Sequence, residues 1–222
     1  MKLRAVAILL ALLAPLAGCG PQRHGAADAR TARAHVDVDS AAAGTGFDFY
    51  LLNLSWSPEF CHAHPEAMEC AEHARFVLHG LWPENMDGTY PENCSNVPGP
   101  ANPAEYADIY PEAGLLGHEW RTHGTCSGLS ADAFFTAART AYRSVRIPAQ
   151  LNSLARQTSM PPEEIAGAFA ASNAGIPRAA VVVSCGHNYL TAVEVCLDKS
   201  LKPMACPTLH ACRANMVRIP AP

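Results

Sequence analysis

The apolar pattern after residue 45 begins with an aromatic and aliphatic run, FDFYLLNLSW at 47–56, which predicts a buried strand. A second strand is predicted over residues 75–79, RFVLH, and Gly80 and Pro83 should end it. Two later strands are predicted over residues 179–184 and 190–197, joined by a Gly-His-Asn turn.

Helical patterns lie between these two pairs of strands. One helix should include residues 118–123, and a second should begin at the N-cap Ser130 and run to Tyr142. A third should begin after Met160, where two prolines precede two glutamates. Residues 85–111 are rich in Pro, Asn, Gly and Asp, which predicts a long ordered loop. Strands, then helices, then strands indicate an α+β domain with a mainly antiparallel sheet packed against several helices.

The first eighteen residues have the composition of an export signal. Lys2 and Arg4 precede an apolar run at 5–14 that is too short to span a bilayer. Leu-Ala-Gly-Cys at 16–19 resembles the lipobox of bacterial lipoproteins, so Cys19 is a candidate for lipidation. An ordinary cleaved signal with a chance cysteine is the alternative.

Residues 20–45 are rich in Ala, Gly and polar side chains without apolar periodicity, which predicts a flexible tether. The expected organisation is therefore a signal at 1–18, this tether, and one catalytic domain over 46–222. We expect the protein to be exported to the periplasm or the medium, with contact to a membrane only through a lipid at Cys19.

Composition limits the class of protein. The chain has 222 residues, 49% apolar and 16% charged, which fits one globular domain after the ends are set aside. The formal charge of −4 does not suit a protein that grips duplex DNA by its backbone. Any RNA should therefore be bound locally, by a pocket and by histidines that become charged in mild acid.

The nine cysteines indicate an oxidising compartment. Without Cys19, an even set of eight remains, which predicts four disulfides. A zinc site is the alternative, but no C-x2-C pair occurs. The eight are Cys61, Cys70, Cys94, Cys126, Cys185, Cys196, Cys206 and Cys212.

Two segments carry the candidate chemistry, FVLHGLWPE at 76–84 and HEWRTHGTC at 118–126. On a helix, Glu119 and His123 share one face, where a carboxylate can orient an imidazole and raise its pKa. The spacing H-E-x-x-x-H departs from the zinc-hydrolase pattern, so no metal is predicted. Each histidine taken alone is typical of a core or surface residue.

Together, these two segments closely resemble the active-site segments of the ribonuclease T2 family. LSWSPEFC at 54–61, DGTYPENC at 87–94, VCLD at 195–198 and ACP at 205–207 resemble other parts of that family. The likeness covers about residues 47–217. It implies an RNA endonuclease of the T2 type that acts as a monomer on single-stranded RNA, without a cofactor.

The resemblance also implies the role of each site residue. His79 would be the general acid toward the leaving 5′-oxygen, and His123 would take the proton of the ribose 2′-hydroxyl. Glu119 would support charge and orientation near the phosphate, and His118 would bind a phosphate oxygen. RNA carries its own nucleophile, so an acid, a base and help for the phosphorane suffice. The product would be a 2′,3′-cyclic phosphate, which later hydrolysis can convert to a 3′-phosphate.

Base binding is assigned to Trp82 and Tyr90 as stacking surfaces and to Glu84 as an acceptor for a base edge. Because every base has a π-face, weak base preference is expected. Trp56 and Trp120 are predicted to lie in the core.

One residue departs from the family pattern, which usually has Lys before the last histidine. Here that residue is Thr122, which brings no charge to the phosphorane and can raise the barrier by a few kcal/mol. Arg121 is next to it but points about 100° away on a regular helix. An exported, non-catalytic protein that binds RNA or another ligand on the same scaffold is therefore the alternative, and a metal-dependent phosphodiesterase is a third.

The resemblance further implies the disulfide pairing, for which the cysteines alone allow 105 possibilities. The implied pairs are Cys61–Cys70, Cys94–Cys126, Cys185–Cys212 and Cys196–Cys206.

Overall fold

A computed structural model of the chain describes residues 46–72, 74–207 and 211–222. The predicted signal, Cys19 and the predicted tether lie outside these residues. No helix in the described ranges is long and apolar enough to cross a membrane.

The described residues form six strands, six α-helices and three short 3₁₀ helices. The strands are β1 (Phe49–Trp56), β2 (Phe76–Glu84), β3 (Thr158–Met160), β4 (Val181–Gly186), β5 (Tyr189–Leu197) and β6 (Val217–Ile219). The α-helices are α1 (Ser57–Ala63), α2 (Met68–Ala71), α3 (Ala113–Thr122), α4 (Ala131–Ser144), α5 (Ala149–Asn152) and α6 (Pro162–Ser172). The 3₁₀ helices are Pro103–Tyr106, Gly124–Cys126 and Arg178–Ala180.

The strands form one sheet in the order β2-β1-β5-β6-β3, with β4 also paired to β5. All pairs are antiparallel except β5 with β6, which confirms the predicted α+β class. At the β4–β5 turn, His187 and Asn188 have φ of 50° and 66°, the left-handed backbone of a tight hairpin.

The two faces of β1 pack against different partners because side chains alternate along a strand. Leu52, Leu54 and Trp56 point into the main core, where Phe134 of α4 and Phe169 of α6 also lie. On the opposite face, two other β1 residues pack with a disulfide cysteine and the Trp82 ring. The main core therefore fixes the sheet, and the opposite face is left for the site.

The predicted helices are present. The Ser130 hydroxyl accepts a hydrogen bond from the Ala133 N–H at 3.3 Å, and α4 begins there as expected. The helix α6 begins at Pro162 as predicted, whereas α3 ends at Thr122 with His123 as its C-cap. The long loop before α3 is also confirmed, since it holds only one 3₁₀ turn.

One prediction about the strands is wrong, because Gly80 and Pro83 do not end β2. β2 lies at the edge of the sheet, pairing only with β1, and an edge strand tolerates a proline that cannot donate a hydrogen bond. Gly80 remains in register with Asn53. The strand therefore extends to Glu84 and carries Trp82 with it.

Four disulfides are present, and they are the four pairs that the resemblance implied. Trp56 and Trp120 are buried at 0% and 3% exposure, which confirms their assignment to the core.

Candidate active site

His79 lies at a β-bulge in β2. The register with β1 passes from Asn53 opposite Gly80 to Leu54 opposite Leu78, so His79 has no partner on β1. Such bulges bend a strand and redirect a side chain, and they are frequent beside active sites.

The bulge changes which side chains share a face. Leu78 and Leu81 both lie in the main core, although residues three apart point to opposite faces of a regular strand. His79 and Trp82 are displaced in the same way onto the open face. Their ring centroids are 5.2 Å apart, in edge contact. An irregularity of one residue thus brings the histidine and the tryptophan together.

Glu119 of α3 lies against this pair and is fully buried. Its Oε2 accepts a hydrogen bond from Trp82 Nε1 at 2.9 Å, and its Oε1 lies 3.8 Å from His79 Nε2. Among the described residues, Oε1 has no hydrogen-bond partner. A Cβ on Gly80 would lie 2.1 Å from Oε2, so the carboxyl reaches the strand only because residue 80 is glycine.

His123 enters from the end of α3. Its backbone N–H bonds to the Glu119 carbonyl at 3.1 Å, and its ring stacks on Trp82 with centroids 5.1 Å apart. The imidazole Nδ1 is buried without a hydrogen-bond partner in the described chain. The Trp82 ring therefore contacts both of the histidines that are predicted to be acid and base.

His118 is exposed at the rim, with its ring centroid 6.2 Å from that of His123. Its Nδ1 lies 3.5 Å from Thr122 Oγ1, so Thr122 faces the site. Arg121 does not: a Cβ on Gly117 would lie 3.0 Å from its Nη1, and the residue lines another cavity beside Trp120. Arg121 thus brings no charge to the place where the family pattern has lysine.

Burial controls the protonation of the site. It raises the pKa of Glu119 to about 8, against the lowering effect of the Trp82 hydrogen bond. Burial lowers the pKa of His79 and lowers that of His123 to about 4, and neighbouring His118 adds to both shifts. The expectation that a carboxylate raises a histidine pKa here is wrong, because desolvation outweighs the pairing.

The residues predicted to bind bases differ in accessibility. The Trp82 ring is half-buried in contact with both histidines, and Tyr90 is 56% exposed in the loop after β2. Glu84 is only 8% exposed, and burial followed by repulsion from Glu194 raises its pKa to about 7. A stacking role for Trp82 and Tyr90 and an acceptor role for Glu84 stay predictions.

Two polar residues on the same face were missed from the sequence. Asn53 lies between Gly80 and Glu194 in the register of the sheet, and its Nδ2 donates to Glu194 Oε1 at 3.0 Å. Asn53 Oδ1 is buried without a partner in the described residues. The available signal was a single amide inside FYLLNLSW and a single carboxylate inside YLTAVEVCL.

The site also contains a possible ligand set for a metal ion. His118, Glu119 and His123 each present one ligand atom, and these atoms lie within 4.8 Å of one another. The arrangement as a whole offers two imidazoles in contact with one indole, and a buried carboxyl that is hydrogen-bonded to the same indole. Such groups can take a proton from one oxygen and give a proton to another.

The chain matches the Ribonuclease T2 family over residues 47–206. A ribonuclease of Aeromonas hydrophila is 41% identical over 118 residues, which cover 52% of this chain and 54% of that protein. Ribonuclease DdI of Dictyostelium discoideum is 30% identical over 201 residues, covering 82% of this chain and 88% of that protein. An RNase-related protein from Calystegia sepium has a similar structure, with a TM-score of 0.67, 25% identity, and coverage of 79% and 98%. The chain therefore belongs to the ribonuclease T2 family, as its two motif segments predicted.

Proposed function

We propose that this chain is a metal-independent endoribonuclease that cleaves single-stranded RNA through its own 2′-hydroxyl, with weak base preference. The observation that carries the proposal is that His79 and His123 both contact the Trp82 ring, with Glu119 buried between strand and helix and hydrogen-bonded to that ring. Two imidazoles in contact with one indole and close to a buried carboxyl suit a reaction that needs a base and an acid at once.

In the first step, neutral His123 takes the proton of the 2′-hydroxyl while that oxygen forms a bond to phosphorus. His79 gives a proton to the 5′-oxygen as its bond to phosphorus breaks, leaving a 2′,3′-cyclic phosphate. The low pKa of His123 keeps it ready as a base in mild acid. Hydrolysis of the cyclic phosphate would use the same groups in exchanged roles.

Because burial lowers the pKa of His79, the imidazole alone holds a proton poorly. Glu119, whose pKa burial raises, supplies that proton. One proton held between Glu119 and His79 leaves the pair without net charge whichever group carries it. An anionic phosphate in the pocket favours the proton on the imidazole, from which the leaving oxygen can take it. His118, exposed at the rim, is the proposed phosphate ligand.

The test is cleavage of single-stranded RNA by the purified chain in excess EDTA, followed by identification of the new ends. We expect 2′,3′-cyclic or 3′-phosphate ends and no cleavage of DNA, which lacks the 2′-hydroxyl. His79→Ala and His123→Ala should each lose about a hundredfold or more in rate. His64→Ala is the matched control, because His64 is exposed and its nearest carboxylate is Glu66 at 4.0 Å.

Loss of activity in EDTA, or 5′-phosphate ends, would contradict the two-histidine mechanism. RNA binding without cleavage would favour the non-catalytic alternative, for which Thr122 is the supporting observation. We also propose export, with Cys19 as a lipid attachment point, because four disulfides persist in oxidising compartments.

A further inference from the structure

We infer that Asn53, anchored by Glu194, is a positioning residue that holds the carboxyl of Glu119 in place beside Trp82. Neither Asn53 nor Glu194 belongs to the two motif segments that carry the proposed mechanism. The placement of the carboxyl is independent of the proposed function, whereas the effect on catalysis rests on it. Asn53 acts only through Glu119 and does not touch the RNA.

The register of the sheet places Asn53 beside the Glu119 carboxyl. Asn53 of β1 lies directly opposite Gly80 of β2. Side chains of directly opposite residues share a face of the sheet, with Cβ atoms about 4.5–5.5 Å apart. A Cβ on Gly80 would lie only 2.1 Å from Glu119 Oε2. The carboxyl therefore occupies the place of the missing Gly80 side chain, and Asn53 is its neighbour on β1.

A hydrogen bond to Glu194 fixes the orientation of the Asn53 amide. β1 lies between β2 and β5 in the sheet, and Asn53 Nδ2 donates to Glu194 Oε1 of β5 at 3.0 Å. The nitrogen and oxygen of an amide lie on opposite sides of their shared carbon, so Asn53 Oδ1 is directed toward β2. A flipped amide would set oxygen against the Glu194 carboxyl and lose this bond. The amide oxygen therefore faces the strand against which Glu119 lies.

This amide oxygen needs a hydrogen-bond donor. Asn53 is 5% exposed, and its Oδ1 is buried without a partner among the described residues. Native proteins rarely leave such an acceptor unsatisfied. In the proposed function, Glu119 and His79 hold one proton, and a protonated carboxyl has one O–H to donate. A proton on Glu119 Oε2 can bond to Asn53 Oδ1, while the same oxygen accepts from Trp82 Nε1.

The bond gives the two carboxyl oxygens different partners. Oε2 is held by Asn53 and Trp82, and Oε1 lies 3.8 Å from His79 Nε2. Because a carboxyl that is held through one oxygen cannot rotate freely, the oxygen facing His79 keeps its place. Small displacements of a catalytic group lower the rate strongly. Loss of the Asn53 amide should therefore reduce kcat more than it changes KM.

The first test follows the indole N–H signals of the ¹⁵N-labelled chain by nuclear magnetic resonance. Asn53→Ala should move the Trp82 signal alone, to higher field, because a displaced carboxyl weakens its hydrogen bond. Tryptophan-to-phenylalanine variants assign the signals. Each tryptophan donates to a different acceptor, which is the Pro220 carbonyl for Trp56, Glu119 Oε2 for Trp82 and the Val97 carbonyl for Trp120.

Asn173→Ala is the matched control. Asn173 is also a buried asparagine, and its amide bonds only to Arg146 and Phe169. This variant should lower the free energy of unfolding but leave the Trp82 signal and kcat unchanged. Circular dichroism verifies that each variant is folded.

Substitutions of Glu194 test the anchor without altering Asn53. Glu194→Gln keeps an acceptor for Asn53 Nδ2 and should behave as the unsubstituted chain does. Glu194→Ala frees the amide, so the Trp82 signal should move in the same direction as in Asn53→Ala.

The second test measures kcat and KM on one single-stranded RNA substrate. Asn53→Ala should lower kcat roughly tenfold to a hundredfold and leave KM nearly unchanged. The double variant with Glu194→Ala should lose no more than Asn53→Ala does, because both residues act through the same hydrogen bonds.

An unmoved Trp82 signal in Asn53→Ala, or an equal shift of all three indole signals, would overturn the placement of the carboxyl by Asn53. A moved Trp82 signal with unchanged kcat would overturn the effect on catalysis. If the unsubstituted chain never cleaves RNA, the proposed function fails, while the Trp82 signal still decides on the placement.

Discussion

At the scale of single residues, burial decides which groups of the site carry a proton. Glu119 and His79 have opposite shifts of pKa for the same reason: each loses water, which disfavours its charged form. One proton shared by the two groups, when it lies on Glu119, leaves both of them uncharged. The sequence had instead predicted the carboxylate beside His123 on one helix face, where it would raise the pKa of that histidine.

The pH dependence of kcat/KM tests this arrangement. The acidic limb should follow protonation of His123, whose pKa is lowered to about 4, so the enzyme should keep activity well below the usual histidine range. The alkaline limb should follow loss of the shared proton, near the Glu119 pKa of about 8. Glu119→Gln should move the alkaline limb to lower pH, because His79, whose pKa is lowered by burial, then holds the proton alone. An acidic limb at the ordinary histidine value would contradict the role of His123 as a buried base.

Thr122 and Arg121 allow a matched pair of substitutions. Thr122→Lys should raise kcat with little change in KM, because the added charge acts mainly on the phosphorane. Arg121→Ala should leave both constants nearly unchanged, since the guanidinium lies over Gly117. Steady-state kinetics on one RNA substrate measures kcat and KM for both variants. A large loss in Arg121→Ala would mean that this arginine reaches the phosphate after all.

At the scale of elements, the bulge in β2 and the end of α3 are in close contact at Gly80, with no space for a side chain there. A Cβ there would lie 2.1 Å from Glu119 Oε2 and 2.2 Å from Trp82 Nε1. Gly80→Ala should therefore displace the carboxyl, lower the rate, and destabilise the fold by about 1–3 kcal/mol through overpacking. Denaturant unfolding and cleavage assays measure the two effects.

Gly114 provides the control within α3. A Cβ on Gly114 meets nothing within 4 Å, so Gly114→Ala should stabilise the helix by roughly 0.5–1 kcal/mol and keep the rate. If the rate were unchanged in Gly80→Ala as well, Glu119 of α3 would not need its close contact with β2.

The disulfide between Cys94 and Cys126 joins the long loop to the turn that follows α3, over a sequence separation of 32. Replacing both cysteines by alanine should cost roughly 3–4 kcal/mol in the chain-entropy model. The Cys61–Cys70 pair closes a separation of only 9 residues, so its removal should cost about 1 kcal/mol less. Urea unfolding of the two double variants measures the difference. The reverse order would indicate that the long loop is held mainly by other contacts.

At the scale of the whole molecule, buried ionisable groups connect stability to pH. Glu84 and Glu119 have folded pKa values raised from 4.5 to about 7 and 8, so their contribution is complete below 4.5 and is lost as the pH rises from there to the folded values. His123 acts in the opposite sense, since its contribution is lost as the pH falls toward its folded pKa of about 4.

Below the ordinary histidine pKa of 6.5, the lowered pKa values of His79 and His123 offset the loss from the two glutamates. The free energy of unfolding should therefore be highest in mild acid and should fall above about pH 6.5. The fall should be on the order of 1.4 kcal/mol per pH unit for each glutamate until its folded pKa is reached, about 7 for Glu84 and about 8 for Glu119. Unfolding in urea at a series of pH values measures this slope. Glu84→Gln should remove its share of the fall below about pH 7 and leave the fall between pH 7 and 8, which belongs to Glu119, unchanged. A stability that rises with pH across this interval would contradict the burial of the two carboxyls.

Residue types and local order were sufficient to predict much of this protein. The apolar run of β1, the cap at Ser130 and the proline start of α6 act through neighbours in sequence, so each could be read directly. The motifs around His79 and His123 identified the family and, through it, the disulfide pairs. These features depend on interactions between neighbours in sequence, or on motifs whose residues are contiguous in the chain.

Tertiary structure decided the rest. The sequence indicated a strand that stops at Gly80, whereas pairing with β1 continues it and turns the unopposed His79 outward. Nothing local indicates that Glu119 would be sealed under Trp82 or that Asn53 would lie beside Glu194. Burial and cross-strand register arise from segments far apart in the chain. The proposed acid and base could therefore be named from the sequence, but their pKa values depend on the loss of surrounding water that folding brings.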